Sequence, residues 1–133
     1  MKKKIESQFS KLLNIMETLR GPNGCPWDRH QDHRSLAKYL FSEAKEVRQA
    51  VQRRDWNNLK EELGDILLQV VFHSQVAKEN GTFDIKDVIE VLNRKLVRRH
   101  PHVFARSAKK LTTPRQVYRQ WEEIKRREKK TSK

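Results

Sequence analysis

Residues 59–71 read Leu59-Lys60-Glu61-Glu62-Leu63-Gly64-Asp65-Ile66-Leu67-Leu68-Gln69-Val70-Val71. Leu59, Leu63, Ile66, Leu67, Val70 and Val71 recur at steps of three and four, the period of an amphipathic helix and not the alternation of a strand. Asp55 upstream is a capping residue type, and Gly81 downstream is a stop, so the spacing predicts one helix between them. Two carboxylates interrupt the apolar stripe. Glu62 and Asp65 are three residues apart, hence neighbours on a helix surface, and Asp65 is set among Leu63, Ile66, Leu67 and Leu68. A charged group inside an apolar stripe is more informative than any exposed one.

The pattern repeats on the N-terminal side. Leu36, Leu40, Val47, Ala50 and Val51 form a helical stripe after a Ser35 cap, and Glu43 falls on the same face with Glu46 three residues on. A turn near Arg53 to Trp56 joins the two helices. If they run antiparallel, the pairs Glu43/Glu46 and Glu62/Asp65 face each other. Four carboxylates in one low-dielectric place repel unless something neutralises them. Oxygen-only donors suit Mg²⁺ or Mn²⁺, and Mg²⁺ keeps room for waters and phosphate oxygens. The competing interpretation is of surface carboxylates paired with nearby lysines and arginines, as an isolated Glu-x-x-Glu commonly is. Two such pairs, each inside an apolar stripe on adjacent helices, favour the metal site.

Three further helices complete the expectation. The first runs from about Ile5 to Arg20, with Phe9, Leu12, Leu13, Met16 and Leu19 on one face. Another follows Asp84, with Ile85, Val88, Ile89, Leu92 and Leu96. The last starts at a Thr113 cap, with Pro114 at the first helical position and Gln116 placed for a capping box. Gly21, Pro22, Gly24, Pro26, Gly81, Pro101 and Pro114 punctuate the chain. Strand signals and internal repeats are absent. The expected fold is an all-α antiparallel helical bundle.

The bulk numbers fit such a bundle. The chain has 133 residues, read as a single domain over 1–133 with basic terminal tails at about 1–4 and 126–133. Hydrophobic and charged residues are each 35%, which is lean in apolar side chains. A second subunit covering part of the apolar surface would explain that, so at least a dimer is expected. The formal net charge of +13 attracts polyanions. Its runs are terminal (Lys2, Lys3 and Lys4; Lys125 to Lys130 and Lys133), and the sequence holds no recognisable groove-reading motif, which argues against nucleic acid. One cysteine, Cys25, excludes an intramolecular disulfide and suits a reducing cytoplasm. No apolar run is long enough to span a bilayer and no signal-peptide core follows Met1. With 4 glycines there is no glycine-rich phosphate cradle, so phosphates would be held by metal and by Lys or Arg. Cys25, His30 and His33 lack the fourth ligand a structural zinc needs. Trp27 reads as a packing anchor for the long loop.

The same residues resemble the MazG family of nucleotide pyrophosphohydrolases. That family carries Glu-Glu-x-x-Glu on one helix and Glu-x-x-Asp on the next; here the segments are Ser42-Glu43-Ala44-Lys45-Glu46 and Glu62-Leu63-Gly64-Asp65. Gly24-Cys25-Pro26-Trp27-Asp28, the run from Glu61 to His73, and Arg99-His100-Pro101-His102-Val103-Phe104 are similar to family segments too. The similarity covers about Leu12 to Glu128 and is nearest to the amino-terminal domain of tandem members. The resemblance implies an all-α fold whose core is completed by dimerisation. It implies cleavage of a nucleoside triphosphate to the monophosphate and pyrophosphate, as nucleotide-pool housecleaning. It implies Glu43, Glu46, Glu62 and Asp65 as Mg²⁺ ligands, and Lys95, Arg99, Trp121 and Lys125 as residues that hold the triphosphate and nucleotide. Ser42 departs from the pattern, standing where the family has its first glutamate. Besides the hydrolase, two other readings stand: a catalytically impaired nucleotide-binding or interaction module, motivated by Ser42, and a basic nucleic-acid-binding protein, motivated by the charge.

Overall fold

The computed structural model describes residues 1–106 and 108–131. The elements are α1 (Lys2–Leu19), α2 (Pro26–His30), α3 (His33–Gln52), α4 (Trp56–Asn80), α5 (Ile85–Arg99), α6 (Pro101–Phe104) and α7 (Pro114–Thr131). The described residues contain no strand, as the sequence predicts, and no helix among them is long and apolar enough to cross a membrane. Where length suggests one domain, backbone contacts divide the chain into two compact units, Met1–Ile85 and Lys86–Lys133.

Two starts differ from the sequence expectation. Helix α1 begins at Lys2, three residues before Ile5. Helix α3 is capped by Asp32 and not by Ser35: the Asp32 carboxylate accepts from Ser35 N–H at 2.8 Å, and Asp32 N–H donates to Ser35 Oγ at 2.9 Å. Ser35 is the distal half of a reciprocal capping box, so one more turn is helical than the lone serine suggested. The other caps are as read. Asp55 accepts from Asn58 N–H, Gly81 ends α4 in the left-handed region at φ 76°, and Thr113 and Gln116 exchange backbone-to-side-chain bonds at the start of α7. The short helices α2 and α6 fall inside segments read as a loop and a turn; each has proline in its first turn, which presets the backbone.

The first unit is a helix pair with a third helix against it. Helices α3 and α4 pack along their length, and α1 packs on α4. Residue pairing is antiparallel: the Gln69 side chain meets Leu36, and His33 Nδ1 lies 2.8 Å from His73 Nδ1 with the rings stacked. The core is small, made of Met16, Leu36, Val71, Phe72 and Val76, with Leu12 and Leu13 against it. Gly24 lets the loop fold over the end of α1. A Cβ there would sit 2.1 Å from the Leu19 carbonyl oxygen, which accepts from Cys25 N–H at 2.8 Å. Trp27 does not anchor that loop: it is 56% exposed, tilted against Tyr39. Arg20 takes the anchoring role, bonding Glu79 with two nitrogens and the carbonyls of Asp28 and Gln31 with a third.

Several expected core positions remain outside. Leu63 is 51% exposed, and Leu40, Val51, Leu67 and Val70 are also exposed, as are Phe41 and Leu68 outside the expected stripes. Helix α4 is apolar around most of its girth, and α3 and α1 cover only part of it.

In the second unit, α7 opposes Arg98 and Arg99 of α5 through Glu128, which pairs with both arginines. The basic runs expected as tails lie on helices: Lys2 to Lys4 in the first turn of α1, and residues 126–131 in α7. Glu122 and Glu123 at three- and four-residue spacing from Lys125 and Arg127 favour that helix. Lys133 lies outside the described residues.

Candidate metal centre and nucleotide-contact residues

The antiparallel turn at Arg53–Asp55 brings the carboxylates together. Carboxylate oxygens of Glu46, Glu62 and Asp65 all lie within 4.8 Å of one another. Glu43, one turn before Glu46, is half-buried beside them; Asp65 and Glu46 both act on its charge. The electrostatics are those of a crowd of like charges. Glu62 is pushed up to about 7, first by sharing a hydrogen bond with Glu46, then by burial and by the charges of Glu46, Asp65 and Glu61. Burial pushes Glu43 up, against a contact from the Gln69 amide that lowers it. Glu43 Oε2 and Glu62 Oε2 are buried with no hydrogen-bond partner. Unpartnered buried carboxylate oxygens cost stability unless a cation or proton meets them. The donor set is all oxygen and multiply charged, which fits a hard divalent cation.

Ser42 does not contribute a ligand. Its hydroxyl donates to the Tyr39 carbonyl at 2.9 Å, back onto its own helix. Cys25 stands at the start of α2 without a side-chain cap bond, and His33 Nδ1 lies 2.8 Å from His73 Nδ1.

The other expected site residues lie in the second unit. Arg99 bonds Glu128 at 2.9 Å and stands over the Trp121 ring at 5.8 Å from its centroid. Lys125 Nζ lies 4.1 Å from that centroid. The Arg99 and Arg98 guanidiniums hold Glu128 below the usual carboxylate range. Lys95 is half-buried one turn before Arg99 on α5. The structure therefore gathers Arg99, Trp121 and Lys125, with Lys95 on the same face of its helix as Arg99. Trp121 also lines an open groove of about 530 Å³ with His100, His102, Val117 and Tyr118. His102 meets Gln120 at 3.0 Å, and His100, at the N-cap of α6, meets the Leu96 carbonyl. No spacing rule in the sequence pointed to them.

Comparison with known proteins gives concordant results. Residues 31–104 match the MazG nucleotide pyrophosphohydrolase domain. The chain is 54% identical, over 91% of its length, to the Thermotoga maritima protein named nucleoside triphosphate pyrophosphohydrolase/pyrophosphatase MazG. It is 47% identical, over 90% of its length, to the nucleoside triphosphate pyrophosphohydrolase of Escherichia coli (strain K12). The chain spans 45% of each of these two relatives. The crystal structure of a mazG-related protein from Thermotoga maritima superposes with a TM-score of 0.69 at 30% identity, covering 88% of this chain and 98% of that one.

Proposed function

This chain belongs to the MazG nucleotide pyrophosphohydrolase family, and from that premise we propose that it cleaves a nucleoside triphosphate to the monophosphate and pyrophosphate with Mg²⁺. The observation that carries the reading is the convergence of Glu46, Glu62 and Asp65, with two orphaned carboxylate oxygens, at one end of the α3–α4 pair. Glu43, Glu46, Glu62 and Asp65 would hold Mg²⁺, or Mn²⁺ in its place. A bound divalent cation would neutralise charge on the phosphates and polarise a phosphoryl oxygen. The residues of the chain do the rest. The carboxylates fix the cation's place. Lys95 and Arg99 offer positive charge to the triphosphate, and Trp121 with Lys125 offers a flat face and a cation to the nucleotide. A water oxygen bonds to the α-phosphorus, the bond to the bridging oxygen breaks, and pyrophosphate leaves. Positioning and charge stabilisation supply most of the rate in chemistry of this type.

Pyrophosphate release from a panel of ribo- and deoxyribonucleoside triphosphates, with and without Mg²⁺, tests the reading. Magnesium-dependent release supports it, and a folded protein that releases none overturns it. The impaired-module reading has one observation in its favour: Ser42 has no charge and its hydroxyl is turned away. Restoring the carboxylate with Ser42→Glu is expected to raise turnover by about 10-fold or more. Unchanged turnover would mean that position 42 does not limit the reaction.

A second copy of the chain is part of the proposal. Phe41 on α3 and Leu63, Leu67, Leu68 and Val70 on α4 are exposed apolar side chains that a second copy would cover. Sedimentation at micromolar concentration is expected to give a dimer or larger; a monomer would remove this part.

A further inference from the structure

The charge of this chain is unevenly shared. Residues 86–133 hold 16 of the 30 lysines and arginines but 5 of the 17 acidic residues, so +11 of the formal +13 lies there. Helix α7 concentrates it. Its three glutamates are already engaged, Glu122 by Lys125, Glu123 by Arg127, and Glu128 by Arg98 and Arg99. Arg115, Arg119, Arg126 and Lys130 are exposed and pair with no carboxylate among the described residues. They stand four, seven and four positions apart, which at about 3.6 residues per turn keeps them on one side of the helix. The half-buried Val117, Trp121 and Ile124 fall on the opposite side.

Fold stability does not call for this stripe. Arg115 with Arg119, and Arg126 with Lys130, are like-charged pairs at four-residue spacing, which weaken a helix. Arg115 also stands in a first turn without an acidic residue, where the helix dipole disfavours a cation. Nor does a nucleoside triphosphate account for it. Trp121, with Arg99 over its ring, is turned the other way. The stripe runs for about 22 Å, the length of about six phosphates along one strand of a duplex. Along the sequence the last basic run looks like a tail; on α7 it is part of a fixed row of charges, and contact with phosphates alone needs no groove-reading motif.

We infer that Arg115, Arg119, Arg126 and Lys130 form a docking surface for the phosphate backbone of double-stranded nucleic acid. Binding is through charge and carries no sequence preference. A single strand calls for aromatic side chains on which bases stack, and the stripe has none. An anionic membrane calls for apolar side chains beside the basic ones, and Val117, Trp121 and Ile124 are turned away. The inference does not depend on the metal centre.

The test is fluorescence anisotropy of labelled mixed-sequence duplexes, one DNA and one RNA, titrated with the full chain at about 50 and about 200 mM salt. Four phosphate contacts give an affinity about 100-fold lower at the higher salt. Replacing all four residues with glutamine is expected to lower affinity at the lower salt by about 10-fold or more and to flatten the salt dependence by about four contacts. Pyrophosphate release from nucleoside triphosphates is expected to stay at the wild-type level. A second variant, Lys2→Gln, Lys3→Gln, Lys4→Gln and Lys11→Gln on α1, removes the same charge elsewhere and is expected to keep wild-type binding. Equal losses in the two variants overturn the proposal, since net charge alone would then explain binding. A wild-type chain that binds neither duplex also overturns it, as does one that binds a single strand, or vesicles containing phosphatidylserine, more tightly than either duplex. Binding to one duplex alone supports the proposal and assigns the surface to DNA or to RNA.

Discussion

Asp65→Asn is expected to lower magnesium-dependent pyrophosphate release by about 100-fold or more while leaving the metal-free protein at least as stable as wild type. The two effects have one cause. Asp65 shares a space of 4.8 Å with Glu46 and Glu62, and its charge is among those that raise Glu62. Asparagine keeps the shape and one oxygen but removes the charge. A cation loses a strong ligand, and three carboxylates lose a repelling neighbour. A residue present for stability would show the reverse: lower melting temperature and unchanged rate. Rates at saturating Mg²⁺ together with melting in chelator measure both. An Asp65→Asn protein with the wild-type rate would remove Asp65 from the centre. Glu62→Gln is expected to behave in the same way, since Glu62 is the most perturbed carboxylate of the group.

Arg20→Ala is expected to destabilise the fold by about 3 kcal/mol, from the loss of the buried guanidinium's several hydrogen bonds and not of a buried ion pair, since Glu79 is exposed. For a chain of this size that corresponds to a melting temperature lower by roughly 10 °C. The Arg20 side chain is 8% exposed, bonds Glu79 at 2.8 and 2.9 Å, closes on two loop carbonyls and lies over the Phe72 ring. Alanine removes the guanidinium from both loop carbonyls and leaves Glu79 with the Gln75 amide as its remaining side-chain donor. The sign with pH follows from Glu79, whose pKa is held below its ordinary 4.5, foremost by the Arg20 hydrogen bond. The folded state then binds fewer protons than the unfolded state through this range. The ion pair's contribution is in full effect above the unfolded value and is lost as pH falls through the depressed folded value. Urea unfolding of wild type and Arg20→Ala at neutral pH and near pH 3 is expected to show the gap narrowing in acid. A gap that is the same at both pH values would mean that the loop carbonyls and the ring contact carry the whole effect.

Arg20 and Gln69 mark the edge of what can be read from a sequence. Both are ordinary residues in ordinary surroundings along the chain. Arg20 is one of 30 basic residues, and the glutamine stands in an apolar run where one polar group is unremarkable. Their partners lie 59 and 33 positions away. Contacts at that separation leave no periodic trace, so nothing in local spacing could single them out. The His33–His73 pair is another case, at a separation of 40. The Ser35 cap was misread for the opposite reason. Both members of the box are capping residue types, and only the geometry decides which one stands outside the helix.

The helices and the carboxylate pairs were legible because both are short-range. A stripe at steps of three and four, with Asp55 before it and Gly81 after it, has one economical solution in water, and a charge inside that stripe breaks it visibly. A three-residue turn then makes α3 and α4 antiparallel, and the facing of Glu43/Glu46 with Glu62/Asp65 follows from connectivity alone. How closely those groups approach, which oxygens are left without a partner, and which helix faces stay uncovered are set by packing between segments distant in the chain. Leu40, Leu63 and Val70 look like core residues by pattern, yet each stands open to solvent, because helical period records that a face is apolar and not what covers it. That last property belongs to the tertiary arrangement, since burial is a relation between surfaces and no single helix contains it.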